Sequence, residues 1–542
     1  MAVPSFDFVI VGGGSAGCVL ANRLSADAGN RVLVIEAGRR DHWWDLLVES
    51  PAAMTYAVGS QSHDWNFWSE PEPFLNDRRL VHPRGKVLGG SSSINGIVYQ
   101  RGNPADYDRW AEDKGMETWD FAHCLPYFKR LEDARDADAG PSRGRGGPHD
   151  LRRGPASNPL FDAFFEAVQQ AGYTRAVDTN ETQEGFAPFD RAVRNGRRVS
   201  AAKAYLAPVR ERENLDVLCE TLVTGVIIEN GKAVGVRVRS AEQGVGEIRA
   251  GEVILAGGTF NSPQLLQLSG VGNPADLEAV GVNVVNPLQG VGENLQDHLG
   301  IHVQHLCSKP VSMMPMRKRY RWPDIFLRWA LLGEGPATST QIEGGGFVRT
   351  DPSLDYPDLM MCFAPIAMRT DPCSMPDKHG YQLYLAAVRP ESRGRVKLRS
   401  ADPTQQPSIL FNYLSTHADR EWWPRALKVV RNILAQPAFR SYDDGETVPG
   451  PDVQADEQLL DWVRRTGRTG LHPTSSCKMG LDDDSVVDPT TMGVHGVEGL
   501  RVVDASVMPY IPNANTYASV MMIAEKAADL ILGNTPLAPA VR

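Results

Sequence analysis

Several features that would assign the chain to other protein classes are missing from its 542 residues. The seven cysteines are scattered, odd in number and without a C-x-x-C pair, which favours reduced thiols in a cytoplasmic protein over a disulfide framework or a metal site. No apolar run reaches the roughly 18 residues that a membrane-spanning helix needs, and the N-terminus leads into a strand, so we expect no signal peptide. The formal net charge of −10 offers no basic face to a nucleic acid. We therefore predict no structural metal, no nucleic-acid partner and no transmembrane segment.

The stretch from Phe6 to Gly38 has the order of elements found in a dinucleotide-binding unit. An apolar run predicts a strand buried on both faces, a G-x-G-x-x-G loop follows it, and Ala16 to Leu24 predicts a helix. A second apolar run, Arg31 to Ile35, predicts a strand that ends at Glu36. Because all these parts occur in order, we predict a site for an adenine dinucleotide, either NAD or FAD.

Each glycine of this loop has its own physical task. Gly12 permits the tight turn, Gly14 lets the backbone approach a pyrophosphate, and Gly17 allows the helix to pack closely on the strand. The N-terminus of the helix offers unpaired N–H groups to the pyrophosphate. Glu36 is the residue expected to accept hydrogen bonds from a ribose 2′-OH.

Three later stretches carry further signals of a binding site. Arg84 to Gly96 joins a basic pair to clustered glycines and serines, which predicts a buried loop that exposes its backbone to a flat polar ligand. Glu252 to Gly258 predicts another buried strand, which returns to the dinucleotide sheet, and Ser262-Pro263 after it opens a predicted helix over Gln264 to Leu268. His472, followed by a proline in a loop of small residues, suits a positioned base because histidine titrates near neutrality. A lone histidine is more often structural, so this loop is weak evidence by itself.

The middle of the chain predicts a second unit. Residues 137–155 are rich in Gly, Pro and Arg, which indicates a domain crossing. Gln382 to Leu398 and Ile409 to Tyr413 predict strands of a second sheet. Residues 313–332 combine three methionines, a basic run and a short apolar helix. This segment is either a substrate-access lid, a surface that touches a membrane or another subunit, or a solvated basic turn beside a core helix.

Taken together, these stretches resemble the glucose–methanol–choline (GMC) oxidoreductase family of FAD enzymes, and within it the bacterial choline, sorbose and long-chain alcohol dehydrogenase branch. The resemblance runs over nearly the whole chain. The stretches that carry it are the N-terminal glycine loop, Arg84 to Gly96, Gly257 to Leu266, Gly290 to His298, Arg389 to Gly394 and His472 to Gly480.

The resemblance implies an α/β FAD-binding, Rossmann-like domain with a mostly parallel sheet and a β-meander. An α+β substrate-binding cap on a second, antiparallel sheet completes the expected fold. The FAD-binding domain is expected to be discontinuous and to comprise residues 1–155, 206–300 and 466–542. The cap is expected to comprise residues 156–205 and 301–465.

The resemblance also implies which residues meet FAD. They are Gly12, Gly14, Ser15, Ala16, Gly17, Glu36, Ala37, Val87, Gly90, Asn95, Gly96, Ile97, Val98, Val223, Asp504, Ala505, Asn515 and Thr516. Some members attach FAD covalently through a histidine in the second glycine-rich loop. Ile94 stands at that position here, so we predict a non-covalent flavin.

His472 matches the catalytic histidine of the family, which takes the alcohol proton while hydride passes to flavin N5. The second catalytic residue of the family is usually Asn or His, and counting back from Met521 and Met522 puts Tyr517 at its position. Three interpretations stay open. Tyr517 keeps the role through its phenolic hydroxyl, Asn515 has taken it over, or the site does altered chemistry with His472 alone.

The first functional hypothesis is oxidation of a primary alcohol, aliphatic or aromatic, to the aldehyde, with O₂ or a quinone as electron acceptor. The alternatives are a flavin-containing lyase of the hydroxynitrile-lyase type and a redox-inactive binding protein. The sequence near His472 has no obvious acidic cluster, which weighs against a choline-type cation site. The expected location is the cytoplasm, with residues 313–332 as a candidate for peripheral contact with the inner face of the membrane.

Overall fold

The computed structural model describes residues 5–136, 139–241, 244–367 and 378–541. Its α-helices are Ser15–Leu24, Leu46–Glu49, Met54–Ala57, Pro104–Ala111, Phe121–Leu131, Pro159–Gln170, Gly258–Leu268, Pro274–Ala279, Trp322–Leu332, His417–Leu434, Asp456–Thr466 and Tyr517–Leu532. Ala202–Leu206 forms one turn of π-helix. Helix Ser15–Leu24 starts one residue before the predicted Ala16 and ends at Leu24, as predicted.

A seven-stranded sheet, here called the nucleotide sheet, carries the N-terminal glycine loop. Ser5–Val11 lies in its middle, parallel to Val32–Ile35 on one side and to the second half of Gly244–Leu255 on the other. Two more parallel strands extend the sheet. Leu215–Leu218 pairs with Val32–Ile35, and Leu500–Val502 pairs with the end of Gly244–Leu255. Val32–Ile35 is buried on both faces, which is why it reads as a continuous apolar run.

The same sheet continues as an antiparallel meander. Thr221–Glu229 pairs with Lys232–Ser240, which pairs with the first half of Gly244–Leu255. The turn between the first two strands is Asn230-Gly231, and both of its residues have positive φ. An Asn-Gly pair favours this hairpin turn because both residues tolerate the left-handed backbone conformation.

A second sheet of six strands, here called the cap sheet, is antiparallel throughout. Its main path runs in the order Gly344–Val348, Leu359–Ala364, Gly380–Ala387, Leu299–Cys307 and Asp443–Val448. The short strand Arg468–Thr469 pairs with the start of Leu299–Cys307, with Leu299 opposite Thr469. His298 directly precedes Leu299, and the loop that contains His472 directly follows Thr469. The pairing therefore brings His298 close to this loop.

The remaining strands are short. They are Phe67–Trp68 with Val81–His82, Val98–Tyr99 with Asp190–Arg191, His149–Arg153 with Glu132–Ala134 and Asp190–Arg191, Val193–Arg194 with Arg197–Arg198, Val271–Gly272 with Asn286–Pro287, Arg395–Lys397 with Ser408–Leu410, and Gly185–Pro188.

Two main hydrophobic cores follow the two sheets. In the first, helix Ser15–Leu24 packs against helix Tyr517–Leu532, so the two ends of the chain share one core. In the second, Pro159–Gln170 and His417–Leu434 cover the cap sheet. Residues 193–205, which the predicted boundaries assign to the cap, contribute apolar side chains to the first core. The domain boundaries stay predictions.

Candidate cofactor and active site

The N-terminal glycine loop has the shape that its spacing predicts. Gly12 has a φ of +107°, and a Cβ there would lie 2.5 Å from the carbonyl oxygen of Ala256. A Cβ on Gly17 would overlap the carbonyl oxygen of Gly12. By contrast, a Cβ on Gly14 would meet no protein atom nearer than 3.9 Å. Two of the glycines are therefore required by the packing of the chain itself, and the third faces open space.

The helix that follows leaves its first amides available. Gly14 is its N-cap and provides no side-chain acceptor, so the backbone N–H groups of the first turn, which includes Ser15, Ala16 and Gly17, are not capped by a side chain. A helix N-terminus of this kind favours a phosphate group. The open face at Gly14 and the uncapped amides fit the pyrophosphate of a dinucleotide.

Glu36 is buried at the end of the second parallel strand and holds the loop on both sides. Its Oε2 accepts a hydrogen bond from the backbone N–H of Gly13 at 2.9 Å, and its Oε1 accepts one from Gly38 at 2.7 Å. Burial raises the pKa of Glu36 to about 7, against the lowering effect of these two amides and of Lys86. Ala37 lies between Glu36 and Gly38 in the sequence.

The second glycine-rich loop packs directly on the first. The N–H of Gly89 donates to the carbonyl of Gly13 at 2.7 Å, and a Cβ on Gly90 would come within 2.7 Å of the Cα of Gly14. Val87 is buried and forms a bridge with Arg39. Loops that are far apart in sequence therefore form one backbone-lined wall around the space at Gly14.

The far end of this loop is held by a buried arginine. Arg198 donates to the carbonyl oxygen and to the side-chain Oδ1 of Asn95, both at 2.7 Å. Asn95 Oδ1 also accepts the N–H of Ile97, which has a φ of +58°. Gly96 and Val98 stand on either side of Ile97 in the same turn. The residues predicted to line the flavin thus form one ordered turn, and Arg198 is a contributor that the sequence did not reveal.

The other predicted cofactor residues border the same region from different elements. Val223 is buried in the meander strand, where the N–H of Thr221 donates to the carbonyl of Glu36. Asp504 accepts hydrogen bonds from the N–H of Gly258 at 2.8 Å and from Ser262 Oγ at 2.6 Å. The same carboxylate therefore holds the start of helix Gly258–Leu268, which begins earlier than predicted.

The loop that contains His472 runs beside the loop after Asp504. The carbonyl of Ala505 accepts the N–H of Ser475 at 3.1 Å. Ser475 has a φ of +76°, a left-handed conformation that favours glycine, at a position where the family commonly has glycine. This pairing connects the predicted catalytic loop to the predicted cofactor loop.

His472 is held at its backbone and at both ring nitrogens. Asp297 Oδ1 accepts the backbone N–H of His472 at 2.8 Å. The ring nitrogen Nδ1 lies 3.0 Å from Nδ1 of His298, and Nε2 lies 3.0 Å from Nδ2 of Asn515. Burial, and secondarily the charge of Arg84, lower the pKa of His472 from 6.5 to about 3. The imidazole is therefore neutral at physiological pH and can act as a base.

Asp297 is itself fixed by two hydroxyl groups. Its Oδ2 accepts hydrogen bonds from the hydroxyls of Tyr413 and Thr469, both at 2.5 Å. A cavity of about 230 Å³ is lined by Asp297, by Tyr413 and by side chains of helix His417–Leu434. Tyr413 and Thr469 thus hold the carboxylate that binds the backbone N–H of His472.

Of the two candidates for the second catalytic position, the structure brings Asn515 to His472 and turns Tyr517 away. Tyr517 is the first residue of the C-terminal helix, and its ring packs edge-on against His149 at 5.3 Å between centroids. Burial raises its pKa, with Cys18 adding to the effect and Ser92 and Arg198 opposing it. Asn515 precedes the helix in a loop that reaches the imidazole, and the catalytic role of either residue stays a prediction.

The same helix leaves its N-terminal amides uncapped. Its N-cap residue, Thr516, makes no side-chain capping bond, so the N–H groups of the first turn remain for another acceptor. They follow directly after Asn515 and thus lie near His472. The helix end carries a partial positive charge that favours an anion.

No group of three or more His, Cys, Asp or Glu that could hold a metal ion occurs within the described ranges. His298 and His302 are four residues apart, but they lie along a strand, where that spacing separates them by about 13 Å. Six of the seven cysteines are free thiols, and Cys373 lies outside the described residues. No helix in the described part of the chain is long and apolar enough to cross a membrane.

Comparison with known proteins identifies the family. Models of the GMC oxidoreductase family match residues 6–300 and 390–524. The chain belongs to the GMC oxidoreductases. It is therefore an FAD-dependent enzyme, and the dinucleotide of the N-terminal loop is FAD rather than NAD.

Relatives of this GMC oxidoreductase match it over almost the full length. It is 52% identical over 539 residues to an oxygen-dependent choline dehydrogenase from Staphylococcus xylosus, which covers 99% of this chain and 96% of that protein. A choline dehydrogenase of the same description from Staphylococcus aureus is also 52% identical. The bacterial choline dehydrogenase branch that the sequence resembles is thereby confirmed.

Solved structures confirm the fold. Pyridoxine 4-oxidase from Mesorbium loti superposes with a TM-score of 0.87 at 32% identity and covers 98% of this chain and 100% of its own. A formate oxidase superposes with a TM-score of 0.91 at 26% identity and covers 98% and 99%. Nothing in the comparisons supports the lyase alternative, and oxidation of an alcohol by an FAD enzyme is the activity that they support.

Proposed function

We propose that this GMC oxidoreductase oxidises choline at its primary hydroxyl to the corresponding aldehyde. The observation that carries the proposal is the 52% identity to oxygen-dependent choline dehydrogenases over nearly the full length of both proteins. Choline is a primary alcohol, so it also meets the requirement for a hydroxyl that a neutral histidine can deprotonate. The sequence near His472 has no obvious acidic cluster, but this argues only weakly against choline, because the lining of the substrate site is expected to come mostly from the cap.

In the proposed reaction His472 takes the hydroxyl proton through Nε2. Because burial lowers its pKa, the ring is unprotonated before substrate binds. Asn515, at 3.0 Å from the same nitrogen, is positioned to hydrogen-bond the alcohol oxygen as well. Asp297 keeps the loop in place through the backbone N–H of His472.

FAD, when bound, accepts the hydride from the carbon that carries the hydroxyl. The N-terminal amides of helix Tyr517–Leu532 are uncapped and adjoin Asn515, so they favour negative charge that develops beside the site. Tyr517 takes no direct part in this proposal, and His472 with Asn515 forms the catalytic pair.

The proposed FAD site uses Gly12, Gly14 and the first turn of helix Ser15–Leu24 for the pyrophosphate and Glu36 for the ribose. The turn around Asn95 and the loops at Asp504 and Thr516 serve the flavin end. Attachment is non-covalent, because the hydrocarbon side chain of Ile94 offers no atom that bonds to the flavin. Acid precipitation tests this: the yellow colour is expected in the supernatant, and colour retained in the protein pellet would contradict it.

The division into an FAD-binding domain and a substrate-binding cap is proposed on the two sheets and their cores. The hydrogen bonds of Asp297 with Tyr413 and with His472 connect the two parts. In this arrangement the cap determines what approaches His472, whereas the nucleotide sheet holds FAD.

O₂ is the proposed electron acceptor, because the relatives at 52% identity are described as oxygen-dependent. Re-oxidation of the reduced enzyme by air is expected to be faster than by a soluble quinone at equal concentration. The opposite order would assign the enzyme to quinone-linked dehydrogenases.

A peripheral contact with an anionic membrane surface is proposed for residues 313–332, which would locate a cytoplasmic enzyme at the inner face of the membrane. Helix Trp322–Leu332 is held to the protein by Trp329, which is buried and donates to the carbonyl of Gly196 at 2.8 Å. Leu331 and Leu332 are 73% and 66% exposed. Five basic residues accompany them: Arg317, Lys318, Arg319, Arg321 and Arg328. Exposed apolar side chains among basic residues are typical of interfacial segments.

Vesicle sedimentation tests the membrane contact. The protein is expected to sediment with phosphatidylglycerol vesicles and not with phosphatidylcholine vesicles, and the double variant Leu331→Ser, Leu332→Ser is expected to lose this. Val245→Ser, at a remote residue that is 78% exposed, is the control. Equal sedimentation of the two variants would contradict the assigned surface.

Anaerobic mixing tests the main proposal. Choline is expected to bleach the flavin absorbance of the purified enzyme, and the neutral isostere 3,3-dimethylbutan-1-ol is the matched control for the ammonium charge. Slower bleaching by the isostere at equal concentration would support recognition of the cation. No bleaching by choline, with bleaching by another alcohol, would overturn the substrate and leave alcohol oxidation standing.

A further inference from the structure

His298 forms a direct contact with the proposed catalytic base. Its Nδ1 lies 3.0 Å from Nδ1 of His472, and the two rings meet edge-on at an interplanar angle of 79°. His298 is completely buried, and burial together with His472 holds its pKa well below the usual range. Both rings are therefore neutral, and a hydrogen bond between two neutral imidazoles requires one nitrogen to donate and the other to accept.

The partners of the other nitrogens decide the direction of this bond. Asn515 approaches His472 Nε2 with its amide Nδ2, which is a donor, so that Nε2 accepts and carries no proton. The proton of His472 then lies on Nδ1 and is donated to His298. The proton of His298 then lies on its own Nε2. This nitrogen makes no hydrogen bond of standard geometry with any described residue, but the nearby backbone carbonyls of Val388 and Pro512 favour protonation of the ring.

We propose that His298 is a positioning residue that holds His472 in the Nδ1–H tautomer. The lone pair of Nε2, which accepts the amide N–H of Asn515 before substrate binds, is then available to take the substrate proton when the hydroxyl replaces that contact. The tautomer of a histidine is set by the hydrogen bond that its other nitrogen makes. Once Nε2 has taken a proton, the Nδ1–H of the resulting imidazolium still has His298 as its acceptor. The inference rests on the proposed role of His472 as the base.

The backbone fixes the relative position of the His298 and His472 rings. His298 directly precedes strand Leu299–Cys307, and His472 follows strand Arg468–Thr469, which pairs with it. The N–H of Gly470 also donates to the carbonyl of His298 at 2.6 Å. The contact is therefore set by backbone pairing on both sides. The charge of Arg84 acts on His472, and Asp297 accepts its backbone N–H.

Two substitutions separate the acceptor role from packing. His298→Asn keeps an acceptor, the amide Oδ1, near the position of Nδ1, whereas His298→Leu fills similar space without any acceptor. The leucine variant is expected to reduce its flavin on the order of tenfold to a hundredfold more slowly with substrate, with an altered pH profile and little change in KM. The asparagine variant is expected to stay within about threefold of the wild-type rate, a much smaller change than the tenfold to hundredfold slowing of the leucine variant.

A spectroscopic measurement makes the test independent of the substrate. In protein labelled with ¹⁵N at histidine, the signal assigned to His472 by its loss in His472→Ala is expected to show an unprotonated Nε2 in the wild type and in His298→Asn. His298→Leu is expected to show a protonated Nε2. An unprotonated Nε2 in all three proteins, or equal slowing in both His298 variants with the wild-type pH profile, would overturn the proposal.

Failure of the proposed function gives a different result. If His472→Ala reduces its flavin at the wild-type rate, His472 is not the base, whatever the tautomer measurement shows. If choline fails but another alcohol reduces the wild-type flavin, the His298 comparison is made with that alcohol.

Discussion

The nucleotide end and the catalytic corner of this enzyme are built in opposite ways. At the nucleotide end, the glycine loop, the helix and Glu36 occur within one stretch of sequence and contact one another. At the catalytic corner, His298, His472 and Asn515 are 174 and 43 residues apart and meet only through the pairing of distant strands and loops. A site built from one stretch of sequence leaves a recognisable motif. A site built from distant residues leaves single residues, which cannot be told apart from others of the same type in the sequence.

The strongest way to break the nucleotide end is Gly17→Ala. The new methyl group would overlap the carbonyl oxygen of Gly12, so we expect loss of FAD and a destabilisation greater than about 4 kcal/mol, the range reserved for severe steric conflicts. Thermal unfolding and the ratio of flavin to protein absorbance measure both effects.

Gly14→Ala is the matched control for that prediction. Gly14 has a φ of −79° and open space around its Cβ position, so the apoprotein is expected to fold normally and to bind FAD more weakly. Wild-type FAD affinity in this variant would show that the pyrophosphate does not approach Gly14.

At the catalytic corner the largest expected effect is that of His472→Ala. Removal of a general base slows a reaction by about 10² to 10⁴, or roughly 3 to 5 kcal/mol in the barrier. The rate of anaerobic flavin reduction measures it, with FAD content as the control for an intact site. A rate within a few-fold of the wild type would remove His472 from the chemistry.

Glu36 makes the stability of the nucleotide end depend on pH. Its pKa in the folded, FAD-free protein is raised from 4.5 to about 7, so the folded state binds this proton more tightly than the unfolded state. The free energy of unfolding should therefore decrease as pH rises from about 4.5 to 7. At about 1.4 kcal/mol per pKa unit, the contribution of this residue is about 3 kcal/mol.

Chemical denaturation of FAD-free protein at several pH values tests this, with Glu36→Gln as the comparison. The wild type should lose more stability over that interval than the variant does. Glu72 and Asp106 also have raised pKa values, but they are present in both proteins and cancel in the difference. Parallel pH curves for the two proteins would contradict the prediction.

The smallest effects compare the two candidates for the second catalytic position. Asn515→Ala is expected to slow flavin reduction about tenfold to a hundredfold, because it removes the amide that contacts His472. Tyr517→Phe is expected to leave the rate nearly unchanged, since that ring packs against His149. The reverse order of effects would return the role to Tyr517.

Much of the fold could be predicted because its signals are local. The Asn230-Gly231 hairpin and the buried strands of the nucleotide sheet follow from backbone preference and from runs of apolar residues. Helix Gly258–Leu268 starts six residues before its predicted beginning, because Asp504, far along the chain, accepts the N–H of Gly258. Where a distant side chain satisfies the backbone, local preference does not locate the boundary.

The candidate site divides in the same way. Its glycine loops, Glu36, His472 and the kind of cofactor were accessible from the sequence, because backbone approach to a phosphate needs glycine at particular spacings. In the sequence, His298 is only the last residue of a stretch that resembles the family. Its proposed positioning role depends on which of its nitrogens faces His472. Asn515 and Tyr517 are two positions apart, and counting along the chain cannot tell which side chain turns toward the imidazole.

The sequence by itself therefore determined the family and the kind of cofactor and indicated the candidate catalytic histidine, since each depends on residue type at short spacing. The tertiary structure alone decided that Asn515 rather than Tyr517 meets His472, that His298 stands behind it and that Arg198 holds the turn at Asn95. The physical reason is that hydrogen bonds of about 3 Å act between atoms, and only the folded chain determines which distant atoms come that close.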